Sequence, residues 1–267
     1  MSRTLFLGCS HTMGYRDFDE DDEPNVWLEN NYAEIYSDHR DKKVVIMASA
    51  GAGNREVVNF LAHAFKVYND IDKVFIQSTY WNRFPIAINP DLDVENIYDL
   101  DHFIEKDFSS HNIDRWSLGL VQERHAQVYM RPLPIDYETP YIKETSPGAW
   151  PNLQRSSFIY VKMYHYLFTH LAQQDYFRDI FMCDSLCSDN NAELYLWNIN
   201  ERCYIPKETE NFYGKLKSTK IAPVDARRYI KDKHQLDIEN EKVDTEHYNV
   251  KSHTMIADKY IPFLENL

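Results

Sequence analysis

Leu5-Phe6-Leu7-Gly8-Cys9-Ser10-His11-Thr12-Met13-Gly14 is the stretch on which the fold turns. Three large apolar side chains in succession, without polar alternation, mark a short strand buried on both faces, as in a parallel sheet. The run stops at a glycine and passes into small and polar residues. A strand that ends this way presents a serine on the turn at the carboxyl edge of the sheet, where α/β folds display their reactive groups. At the far end of the chain Asp244-Thr245-Glu246-His247 precedes a last amphipathic stretch. Serine, histidine and aspartate are the three parts of an acyl-transfer site.

Working outward from the first strand (about Thr4–Gly8), a helix is expected near Val26–Tyr36, with Asn25 as N-cap after Pro24. A second buried strand follows at Lys43–Met47 (Val44-Val45-Ile46-Met47) and ends in Ala48-Ser49-Ala50-Gly51-Ala52-Gly53-Asn54. Val57, Val58, Leu61, Ala62 and Phe65 then share one face of a helix at about Arg55–Tyr68. A third strand at Lys73–Gln77 ends in Ser78-Thr79-Tyr80-Trp81-Asn82-Arg83. Repeated strand-helix alternation predicts a three-layer α/β/α architecture around a doubly wound, mostly parallel sheet, with ligands beyond the strands' carboxyl ends. All three turns lie on that edge.

From Pro85 to about Pro151 the periodicity fades into Pro, Asp, Asn and Tyr, as in Arg131-Pro132-Leu133-Pro134 and Ser146-Pro147-Gly148. A large insertion or substrate-side cap is expected at about 85–151 within a single domain of 1–267. Helices are expected at about Leu153–Ala172 and Tyr176–Cys187, a strand at Glu193–Asn198 and a final helix at Lys251–Leu264. Residues Glu201–Glu241 are polar and give no clear element.

Of the chain's 267 residues 43% are hydrophobic, enough for a real core, and the formal charge is −13. An acidic surface repels phosphate backbones, which argues against a nucleic-acid partner. Asp17, Asp19, Glu20, Asp21, Asp22 and Glu23 read as a solvated loop; the alternative of a calcium site lacks EF-hand spacing. Cys9, Cys183, Cys187 and Cys203 show no zinc spacing, so neither a metal nor another cofactor is expected. No apolar run spans a bilayer, and Met1-Ser2-Arg3-Thr4 leads straight into the first strand without room for a signal peptide. A cytoplasmic location is expected; a virion component would read the same way. With 19 Tyr and 14 Phe against 7 Gly, the chain is aromatic-rich, which suits core filling and also carbohydrate contact.

Taken block by block, the chain resembles the SGNH (GDSL-type) hydrolase superfamily. The family opens with Gly-Asp-Ser and a later glycine, which stands here as Gly8-Cys9-Ser10 and Gly14, with Cys9 in place of the aspartate. Its last block, Asp-x-x-His followed by a second histidine and an apolar-Ala pair, matches Asp244, His247, His253 and Ile256-Ala257. The second block contributes an oxyanion glycine after strand two, for which Gly53 fits best, with Gly51 as rival and Asn54 placed to add a side-chain contact. The third block, Gly-x-Asn-Asp, departs most. Its glycine is absent and Asn82 falls about one residue late, so Asn82, Asn54, Gln77 or Arg83 are the available substitutes. The insertion lies outside the resemblance, and the overall look is similar to phage-encoded members.

The resemblance implies a flavodoxin-like fold and a serine esterase, acting on an ester-linked acyl group such as O-acetyl on a glycan, without cofactor. Ser10 would be the nucleophile, His247 its base and Asp244 the group orienting the imidazole. Gly53, Asn54 and Asn82 would surround the oxyanion. Small-molecule or glycan esters are then the expected partners. The departures at Cys9 and in the third block motivate a second reading, a catalytically weak or inactive binding or structural protein. A metal-dependent hydrolase using the acidic cluster and His11 is the third.

Overall fold

The computed structural model describes residues 2–14, 30–48, 52–78, 84–87, 103–105, 113–118, 125–130, 142–144, 171–199, 215–241 and 247–267. In chain order its first elements are β1 (Arg3–Gly8), α1 (Ser10–Met13), α2 (Tyr32–Arg40), β2 (Lys43–Ala48), α3 (Asn54–Val67) and β3 (Ile71–Gln77). Five strands follow: β4 (Phe84–Ala87), β5 (Phe103–Glu105), β6 (Ile113–Leu118), β7 (His125–Met130) and β8 (Ile142–Glu144). The rest comprises α4 (Leu171–Asp189), β9 (Glu193–Trp197), β10 (Thr219–Ile221), α5 (Ala226–His234), a 3₁₀ turn (Ile238–Asn240), α6 (Val250–Met255), a π turn (Ile256–Tyr260) and α7 (Ile261–Glu265).

The main sheet has seven strands in the order β10-β9-β3-β1-β2-β6-β5. Six run parallel, and β5 closes one edge antiparallel to β6. Leaving β4 to β8 aside, the order is that of flavodoxin, with the chain reversing its direction of travel across the sheet at β1. The expected doubly wound α/β architecture is therefore the observed one. Strands β4, β7 and β8 form a separate antiparallel sheet.

Why these strands sit centrally follows from their side chains. Leu5 and Leu7 point to one face and Phe6 to the other, and all three are fully buried. One core joins Phe6, Val44, Ile46 and Phe75 to Tyr32, Tyr36, Tyr248, Ile256 and Tyr260. The opposite core joins Leu5, Leu7, Val45, Met47 and Val74 to Val57, Leu61, Tyr176, Cys183 and Cys187. Each such aliphatic side chain stabilises the fold by roughly 1.5–3 kcal/mol on burial. Across β1, β3 and β9 the rings of Phe6, Phe75 and Tyr195 stand in register and stack, with centroids 5.0 and 4.6 Å apart. Cys183 and Cys187 are buried free thiols in the second core, and burial pushes both well above the usual thiol range.

One expectation needs correction. The second helix begins at Tyr32, capped by Asn31 rather than Asn25: the Asn31 side chain accepts from Ala33 and Glu34 N–H, and Glu34 returns a bond to Asn31 N–H. The expected insertion at 85–151 contributes β6 and β5 to the main sheet, with Val44–Met47 paired to Ile113–Trp116. The polar stretch before Glu241 holds β10 and α5. The acidic cluster, Cys203 and most of the helix expected at Leu153–Ala172 lie outside the described residues.

A buried ion pair ties β6 to α2. Glu34 accepts from Arg115 Nη2 with one carboxylate oxygen, while the other accepts from Asn30 and Asn31 N–H at 2.5 and 3.2 Å. No helix among the described residues is long and apolar enough to cross a membrane.

Candidate active site

The turn after β1 is built around a missing side chain. Cys9 is the N-cap of α1, and Gly14 ends that single turn in the left-handed region at φ 75°. Thr12 folds back over Gly8 so closely that a Cβ there would lie 2.0 Å from Thr12 Oγ1 and 3.1 Å from Gln77 Oε1. The clash, not the backbone conformation, excludes any larger residue. Gly8→Ala is therefore expected to lower stability by about 1–3 kcal/mol through overpacking. A drop in the urea midpoint at unchanged slope checks it. An unchanged midpoint would mean that Thr12 can swing away.

Beneath the turn lies a buried polar network. Gln77 Oε1 accepts from Thr12 Oγ1 at 3.1 Å and from the Cys9 thiol at 3.7 Å, while Gln77 Nε2 donates to the Ser78 carbonyl at 3.1 Å. The Gln77 amide is thus engaged under the turn, which leaves it poorly placed to serve an oxyanion. Cys9 is buried, packing where the resembled family has an aspartate. Ser78 follows β3 fully buried, its N–H donated to the Trp197 carbonyl at 2.8 Å and its hydroxyl 3.1 Å from Tyr176 Oη.

Ser10 opens α1, partly exposed, immediately beyond the end of β1. Gly53 is the N-cap of α3, at the corresponding edge after β2, and Asn54 is buried as the first residue of that helix. The Gly53 N–H is donated to Glu56 Oε2 at 2.9 Å. That bond closes the start of α3 and competes with any oxyanion role for the same N–H. Next along, Arg55 pairs with Asp179 of α4 at 2.9 Å. Burial raises the Asp179 carboxyl to about 6, against the opposing pull of Arg55.

His247 comes to this turn from the other end of the chain. Its ring centroid lies 5.3 Å from that of His11, the neighbour of Ser10, and the Tyr248 ring is 5.6 Å from His11. His247 is 8% exposed, at the wall of the site rather than in open solvent. The segment is held from behind: Tyr248 Oη donates to Glu239 at 3.0 Å, and Asn249 N–H to the Glu241 carbonyl at 2.9 Å. Asn249 also caps α6 through Ser252 N–H. Asp244, Asn82, Gly51 and Arg83 lie outside the described residues.

His11, named from sequence only in the metal-dependent reading, is the residue of the Ser10 turn whose ring meets His247 and Tyr248. Tyr32 and His253 also belong to this region, as described below. Asn31-x-x-Glu34 is the one local signal that could have located Tyr32, since it is a capping pattern. Among the described residues no group of three or more His, Cys, Asp or Glu side chains is placed to hold a metal ion.

No family model and no curated protein matches the chain. Two solved structures similar to it are a carbohydrate esterase, whose active site is described as having divergent catalytic and non-catalytic binding functions, and an acetyl xylan esterase, Est2A, from the rumen bacterium Butyrivibrio proteoclasticus. The first is 15% identical over 100% of this chain with a TM-score of 0.45, and the second 12% identical over 99% with a TM-score of 0.43. The chain spans 65% and 64% of their lengths. At such values their activities remain statements about those two proteins.

Proposed function

We propose that the chain is a serine esterase that hydrolyses an ester-linked acyl group, with an O-acetyl group on a glycan as the substrate class. The observation that carries this reading is the approach of His247 to the turn that presents Ser10, at the strand edge where the sheet reverses direction.

In this reading His247 takes the proton of the Ser10 hydroxyl as its oxygen attacks the ester carbonyl, and Asp244 holds the imidazole and stabilises the imidazolium. The tetrahedral intermediate collapses as His247 returns the proton to the departing alcohol. Water, deprotonated by the same ring, then releases the acid and restores the serine. Ser10 N–H, Asn54 and Asn82 are the assigned oxyanion donors, with Gly53 available only on release from Glu56. Each donor is worth roughly 3 kcal/mol in the transition state. The aromatic-rich composition supports a glycan as the alcohol.

A fluorophosphonate probe is expected to label the protein stoichiometrically at Ser10, with p-nitrophenyl acetate hydrolysed in step. Absence of both would turn the assignment to a non-catalytic binding protein built on the same sheet.

A further inference from the structure

Two parts of the candidate site arrive from opposite ends of the chain, and one buried residue touches the supports of both. Tyr32 opens α2 and is fully buried. Its hydroxyl donates to Thr12 Oγ1 at 2.7 Å, and Thr12 in turn donates to Gln77. Thr12 lies two residues beyond Ser10 on the same short turn. From its other end, Tyr32 N–H donates to His253 Nδ1 at 3.3 Å, and the two rings stack with centroids 5.7 Å apart.

Because Nδ1 of His253 accepts a hydrogen bond, its neutral ring carries the proton on Nε2. His253 also makes a hydrogen bond to the Tyr248 main chain that favours the protonated ring, so the ring must donate it to the carbonyl. Tyr248 directly follows His247. Burial, helped by the nearby His247, holds His253 down at about 4, while burial lifts the Tyr32 hydroxyl far above its usual range. Neither ring changes charge at neutral pH, so the direction of every bond in the chain stays fixed.

We infer that Tyr32 is a positioning residue of the esterase site, setting the register between the Ser10 turn through Thr12 and the His247 segment through His253. This rests on the esterase reading above. Tyr32 touches neither the reacting atoms nor the substrate. Its contribution is geometric: a nucleophile and a base held by separate elements lose rate steeply when their separation drifts by fractions of an ångström.

Tyr32→Phe removes only the hydroxyl and keeps the stacked ring, the N–H bond and the core volume. Its kcat on p-nitrophenyl acetate is expected to fall about 10- to 100-fold, the range expected for small misplacement. KM should stay within about twofold, as for an interaction made only in the transition state. Thr12→Val reads the same link from its other end, and the double variant should lose no more than the worse single one. Wild-type kcat in either single variant, or losses that multiply in the double, would overturn the link. Independently of activity, the imidazole ¹⁵N resonances of His247 should shift in Tyr32→Phe. Unchanged resonances with unchanged kcat overturn the inference and leave the esterase reading intact. Shifted resonances in a protein that neither hydrolyses ester nor takes the probe sustain the link and overturn the esterase reading.

Discussion

Ser10→Ala is expected to reduce kcat for ester hydrolysis by on the order of 10⁴- to 10⁶-fold, with KM nearly unchanged, the pattern for a residue engaged only in the chemical step. The reason is that nothing else on the turn can replace it. Cys9, the neighbouring nucleophilic atom, is buried against Gln77, and Thr12 is committed to Gln77 and Tyr32. His247→Ala should lose about as much. The double variant should lose little more than either alone, since in the proposed mechanism the two side chains act as a unit. Steady-state kinetics on p-nitrophenyl acetate, with circular dichroism to confirm the fold, measures all three. A Ser10→Ala protein as fast as wild type would assign the hydrolysis to another group. Losses that multiply in the double variant would separate the two side chains in mechanism, although their supports meet in space.

The largest expected effect on stability comes from Glu34. Its side chain is 6% exposed and that of Arg115 10%, so neither charge has water to fall back on. Glu34→Gln keeps an oxygen for the α2 start but removes the negative charge that faces the buried Arg115 guanidinium. Breaking such a pair from one side typically costs about 3–5 kcal/mol. The Glu34→Gln/Arg115→Met double variant should recover a large part of that loss, because the buried charge is then gone. Thermal and urea unfolding of the two proteins decides it. Equal stability of Glu34→Gln and wild type would mean that solvent reaches the pair. Since Glu34 also closes the helix that begins with Tyr32, part of the penalty should appear in the proposed activity, as slower hydrolysis of p-nitrophenyl acetate.

The central strands were legible because their signal is local. Val44-Val45-Ile46-Met47 and Leu5-Phe6-Leu7 carry their burial on their faces, and Leu194-Tyr195-Leu196-Trp197 likewise. Strand β6 was not, because Asp114 and Arg115 interrupt its apolar residues. Inside the protein Arg115 pairs with Glu34, a partner distant in sequence that no window along the chain could reveal. The start of α2 was misplaced because Pro24-Asn25 and Asn31-x-x-Glu34 are both good opening signals, and the second prevails with two side-chain bonds. The C-terminal helix expected as one piece is interrupted by a π turn at Ile256–Tyr260, a shift of one residue per turn that apolar spacing does not report.

Of the candidate site, Ser10 follows β1 and Gly53 and Asn54 open the helix after β2, as parallel topology requires, and the His247 ring approaches His11 beside Ser10. The hydrogen bond that occupies the Gly53 N–H was not legible: Glu56 reads as an ordinary first-turn acid until its oxygen is seen at 2.9 Å. Nor was Tyr32, whose importance lies entirely in which two residues it happens to separate.

The pairing of Val44–Met47 with Ile113–Trp116 bears on how a minimal version of this protein could be made. Excising everything from Pro85 to Pro151 would strip β2 of β6, one of its two neighbours, and turn an enclosed apolar strand into an open hydrogen-bonding margin, ready to recruit another chain. A shortened design that retains Phe103–Glu105 and Ile113–Leu118 keeps that margin closed.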